Sequence, residues 1–150
     1  MKYRMAVATL ALFGFLLAMY LWLWKIGLLG GIACGTGSCE AVQFSEHAVM
    51  FGIPVAFFGV VGYLGLLITS LAGLQPAWID RREPAILLAT ISGVGVAFSG
   101  YLTYLEAVVI EAWCRWCLVS AAIIGMIFLT ALAELWARVR TEALFTGSSA

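Results

Sequence analysis

The chain has 150 residues, 64% of them hydrophobic and 11% charged, with eight basic and eight acidic side chains and a mean hydropathy of +1.06. Soluble domains run nearer ~45–50% apolar and ~25% charged, so this is an integral membrane protein. Its zero formal charge offers nothing to a nucleic-acid backbone. At ~20 residues per hydrocarbon crossing, one polytopic domain over residues 1–150 fills the length.

In chain order, apolar runs predict spans over about 5–24, 54–74, 85–106 and 116–136. Backbone polar groups in lipid must be satisfied within the segment, so the expected fold is an all-α four-helix transmembrane bundle. The alternating segments of about ten residues that a β-barrel needs are absent from the sequence. Met1–Arg4 is basic enough for a signal peptide, but the following run exceeds the ~7–15 apolar residues of such a signal and lacks an A-x-A site. The first span is therefore expected to be retained.

Between the first two spans lies a loop with glycines at 27, 30, 31, 35 and 37, followed by Ser38, which is placed to cap a short helix over residues 39–49. There Ala41, Phe44, Ala48 and Phe51 recur at helical spacing beside Val42 and Val49, with Glu40, Gln43, Glu46 and His47 on the other side. That pattern predicts a lid lying on the membrane surface. Pro54 suits the first turn of the second span, where no N–H is needed.

Lys2, Arg4, Arg81, Arg82, Arg138 and Arg140 fall on the side of the termini and middle loop; only Lys25 and Arg115 fall on the other. The bias predicts both termini in the cytoplasm of a plasma or inner membrane. All four cysteines then lie on the opposite, oxidising side: Cys34 and Cys39 after the first span, Cys114 and Cys117 after the third.

EAWCRWCLVS, residues 111–120, places Cys114 and Cys117 on one face at the start of the fourth span. Free N–H groups and the positive end of the helix stabilise a thiolate there, which suits thiol–disulfide exchange. The alternatives are a structural disulfide or an inert buried pair. A zinc site is disfavoured by the oxidising compartment, and His47 is the only histidine, so no metal is expected.

Cys34 and Cys39, separated by Gly35-Thr36-Gly37-Ser38, read either as a loop staple or as a second, mobile dithiol in relay with the first. A dithiol between Trp113 and Trp116 at the lipid interface is placed to meet a lipid-soluble two-electron acceptor, which a quinone would be. Phe57, Phe58, Tyr101 and Tyr104 are candidates for an apolar pocket. Glu106 and Glu111 are expected in interfacial water, with proton transfer as the alternative.

The run SGYLTYLEAVVIEAWCRWC resembles the vitamin K epoxide reductase family. So does the upstream series of a loop cysteine pair, Ser45 six residues after Cys39, Gly-Ile-Pro, and a span with Phe58-Gly59 and Tyr63. The resemblance covers about residues 5–136. It implies a four-helix bundle around a quinone of menaquinone or ubiquinone type. The loop pair Cys34/Cys39 would shuttle electrons to Cys114, Cys117 would reduce the quinone, and Ser45 would support the lid. Phe58, Leu102 and Ala121 match positions near the family's quinone site.

Animal members carry an asparagine in the second span and a tyrosine four residues after the last cysteine. Apolar Val55 and Ala121 stand here instead, which argues against epoxide chemistry and for a respiratory quinone in a microbial membrane. Many microbial relatives carry a fused thioredoxin-like domain; here the partner is expected to be a separate extracytoplasmic thioredoxin-like protein. The expected activity is a quinone-dependent thiol–disulfide oxidoreductase that supports disulfide formation in exported proteins. Two rivals stand beside it: a DsbB-type oxidase, in which the order of the cysteine pairs is reversed, and a non-enzymatic membrane scaffold with stapled loops.

Overall fold

The computed structural model describes residues 1–31 and 38–147. Four long helices dominate it: α1 (Lys2–Lys25), α3 (Val55–Gly73), α4 (Glu83–Leu105) and α5 (Arg115–Gly147). All four are long and apolar enough to cross a membrane. The loop after α1 holds a six-residue helix, α2 (Ser38–Gln43), a 3₁₀ turn at Glu46–Ala48, and the paired strands β1 (Val49–Met50) and β2 (Ile53–Pro54).

The start of α1 meets the end of α3, where Arg4 donates to the Gly73 carbonyl; the end of α1 meets the starts of α3 and α5 through Trp22–Phe57 and Tyr20–Trp116 contacts. α1 is therefore antiparallel to both. α4 completes the ring between α3 and α5. The seam is filled by Val7, Ala11, Val60, Leu66, Leu88 and Ile127, while Phe13, Ile68, Val94 and Leu129 point outward, as lipid-facing side chains do.

Small residues set the spacing. A Cβ at Gly14 would collide with the Tyr63 ring, so the glycine lets α1 and α3 close with that ring between them. Tyr63 then reaches across the bundle, its hydroxyl 2.7 Å from the Ser120 carbonyl and 3.0 Å from Ser120 Oγ on α5.

Two ends of the bundle differ from the sequence expectation. α5 continues past residue 136 to Gly147, and its 33 residues span roughly 50 Å at ~1.5 Å each. The extension is helical because Glu134 and Arg138 pair at i,i+4, and Arg82 reaches Glu142 from the loop before α4. The expected helix over 39–49 stops instead at Gln43. Ser45 Oγ donates to the Val42 carbonyl at 2.7 Å, closing the turn, and the chain then reverses through Phe51 (φ 54) and Gly52 (φ 79). Positive φ at both central residues is what a two-residue hairpin turn requires.

With the helix broken, its predicted apolar face does not form. Phe44 and Phe51 are exposed, whereas Cys39, Val42 and Gln43 turn inward. Phe44 instead packs on Trp24 and under the Lys25 ammonium.

Candidate active site

The end of α4 is where the site begins. After Leu105 the chain widens into a π turn over Glu106–Ile110, and Glu111 adopts the left-handed conformation at φ 53. Wide turns of this kind re-aim the residues that follow. Here they fold the chain back so that the Cys114 N–H donates to Glu106 Oε2 at 3.1 Å and the Ala112 N–H donates to the Glu106 carbonyl.

Cys114 is the N-cap of α5. Its carbonyl accepts the first helical bond, from Leu118 N–H at 3.0 Å, and its sulfur accepts the Cys117 N–H at 3.3 Å. A sulfur in the position usually held by a serine or aspartate oxygen feels the positive end of a long helix. Hydrogen bonding from the Cys117 side chain holds the Cys114 thiol below the ordinary cysteine range, helped by the backbone N–H groups of Cys117 and Trp116. Burial and the Glu106 charge oppose this without prevailing. Cys114 and Cys117 are both thiols.

Cys39 is disulfide-bonded and buried, and it forms one apolar cluster with Val42 and Cys114, bordered by Ile110, Ala112, Trp116 and Cys117. α2 thus delivers a loop cysteine to the cap of α5. Cys34 lies outside the described residues. The Trp116 indole N–H finds no acceptor among the described residues.

Cys117, one turn into α5, opens onto a cavity of about 170 Å³ enclosed by α1, α3, α4, α5 and the outer loop. Phe58, Leu102 and Ser45 line it; Ala121 does not. On α5 the wall is the row Cys117, Ser120, Ile124, and Ala121 lies about 100° round the helix from Ser120. Val55 also lines the cavity, while Tyr101 and Tyr104 are exposed outside it.

Four polar residues at this site stand differently from the sequence expectation or were given no role at the site by it. Gln43, assigned to the outer face of the lid, is buried and directs Nε2 to Cys117 Sγ at 3.5 Å. Tyr63 and Ser120 form the cross-bundle pair described above. Glu106, expected in water, is 3% exposed. Its position within an apolar run was the available signal, since an acidic residue inside a span is rarely idle.

A dithiol at the cap of a membrane helix, one sulfur buried beside a disulfide-bonded loop cysteine and the other open to an apolar cavity, defines a membrane protein built for thiol chemistry. The sequence matches the Vitamin K epoxide reductase family over residues 5–132, and the chain belongs to that family. It is accordingly a multi-pass membrane thiol–disulfide oxidoreductase.

Proposed function

We propose that the protein carries electrons from a separate extracytoplasmic thioredoxin-like protein, through its two cysteine pairs, to a membrane quinone, and so supports disulfide formation in exported proteins. One observation carries this reading: Cys39, disulfide-bonded, shares a buried cluster with Cys114, while Cys117 of the same C-x-x-C opens onto an apolar cavity. The basic residues at the end bearing the termini support a cytoplasmic location for it, with the thiols outside.

The residues present fit a quinone. Phe58, Phe98, Leu102 and Ile124 offer apolar walls for a planar ring, and the Ser120 hydroxyl, fixed beside Tyr63, can turn to donate to a ring oxygen while the Tyr63 hydroxyl stays on the Ser120 carbonyl. Bound there, a quinone supplies a two-electron acceptor beside Cys117.

The chain's own chemistry follows from the cluster. A thiolate of the partner attacks the Cys34–Cys39 disulfide and forms a mixed disulfide. Packing against Cys114 supports Cys39 as the loop thiolate that next attacks a Cys114–Cys117 disulfide at Cys114, releasing Cys117. The partner's second thiol releases Cys34 as the partner's own disulfide forms; Cys34 then attacks Cys39 of the Cys39–Cys114 disulfide, which restores the loop disulfide and leaves Cys114 and Cys117 as a dithiol that the quinone would reoxidise. Tyr63 and Ser45 hold the walls, and Gln43 ties the loop to the Cys117 sulfur.

Anaerobic turnover of the purified protein with a dithiol donor and a panel of quinones tests the reading. Quinol should form with respiratory quinones, and vitamin K epoxide should not be reduced. Disulfides that stay unchanged when reductant and then quinone are added would instead mark a scaffold with stapled loops.

A further inference from the structure

Two glutamates are buried inside the spans, and they are treated differently. Glu134 is held by Arg4 at 2.8 Å and by Arg138 at 3.0 Å. Glu106 has no cation within ion-pair distance among the described residues. It is 3% exposed, its carboxyl accepts the Cys114 N–H at 3.1 Å, and it lines the same cavity as Cys117.

A carboxyl kept out of water without a counter-ion is costly, and it persists in a span where protons or charge must be handled. The π turn at Glu106–Ile110 and the left-handed Glu111 bring the chain back so that this carboxyl meets the Cys114 backbone at the wall of the cavity onto which Cys117 opens. The other titratable groups on the cavity wall are Tyr63 from α3 and His47 from the outer loop. Lys25 of α1 is engaged with the Gln43 carbonyl.

We propose that Glu106 is the proton acceptor of the Cys114–Cys117 dithiol: its carboxylate takes the Cys117 thiol proton as that sulfur becomes nucleophilic and passes it on to the reduced acceptor in the cavity. This rests on the quinone-reductase reading above. In the complete oxidation two S–H bonds break and one S–S bond forms, and two electrons pass to the quinone-class acceptor. One proton travels through Glu106. The other leaves Cys114 for the aqueous side, and an equivalent proton from water completes the doubly reduced acceptor; Glu106, having handed on its proton, ends as the carboxylate it began as.

Glu106→Gln separates this role from a structural one, because the amide oxygen still accepts the Cys114 N–H but cannot take a proton. Two readouts are needed. The first is alkylation of Cys117 by a small haloacetamide in the reduced, quinone-free protein, followed by mass spectrometry across pH. Removing a carboxylate that repels the thiolate should shift this profile to lower pH. The second is quinol formation across pH. It should fall roughly 10²-fold near neutrality in Glu106→Gln, recover part of the way as pH rises, and be partly restored in Glu106→Asp.

Opposite movement of the two readouts is the expected result. Parent-like turnover and pH profile in Glu106→Gln would overturn the proposal, and so would alkylation and turnover falling together. If the parent protein reduces no quinone, the functional reading fails; the alkylation profile then still decides whether Glu106 governs the Cys117 proton, an unshifted profile sinking that link.

Discussion

The two ends of the bundle are held by opposite means. At the end carrying the termini, Arg4 is 1% exposed and joins four segments: it pairs with Glu134 of α5 and donates to the carbonyls of Gly73, Trp78 and Arg81. Arg138 adds Glu134 and the Ile79 carbonyl. At the thiol end no ion pair appears among the described residues; α2, a two-strand hairpin and single hydrogen bonds to sulfur close the structure. A charge clamp fixes one end so that exchange among cysteines at the other need not loosen the bundle.

The sharpest way to break this contrast is at Cys117. Cys117→Ala should abolish quinol formation from a dithiol donor, a loss of at least roughly 10³-fold, while thermal unfolding in detergent changes little, because a half-buried thiol is replaced by another small side chain. Glu134→Ala does the reverse. It leaves Arg4 buried without its carboxylate and should cost about 3–5 kcal/mol in detergent unfolding, while the protein that remains folded retains its thiol exchange.

Tyr63→Phe lies between the two ends. It removes the hydroxyl bonds to Ser120 and should cost about 1 kcal/mol of stability, with a comparably small rise in quinone KM.

The smallest effect is a titration. Because hydrogen bonding from Cys117 holds the Cys114 thiol below its ordinary range, ultraviolet thiolate absorbance should appear at lower pH than for an ordinary cysteine, and Cys117→Ala should move it upward. The sign for stability follows: the contribution is complete above the ordinary cysteine pKa and is lost as pH falls through the lowered one.

The spans were legible because each is a continuous apolar run, and their starts and ends are marked by residues such as Pro54, Arg82 and Arg115. The C-x-x-C was legible as a helix start for the same reason. The outer loop was not: helical spacing of Ala41, Phe44, Ala48 and Phe51 assumes an unbroken helix, and the Ser45–Val42 bond and the Phe51-Gly52 turn end that assumption. Arg4, Glu134 and Arg138 count as ordinary charges in a linear reading, and only the fold brings residues 4 and 134 within 2.8 Å. Glu106 was misplaced into water because exposure is the general rule for carboxylates, and the π turn that buries it has no simple sequence pattern.

The relay itself is tested most directly by mapping cross-links in Cys34→Ser/Cys117→Ala after Cys114 has been oxidised with one equivalent of a small disulfide. Non-reducing digestion and mass spectrometry should find a Cys39–Cys114 disulfide, trapped because neither Cys34 nor Cys117 remains to displace it. A Cys39 thiol that persists beside a Cys114 still carrying the small adduct would contradict the relay.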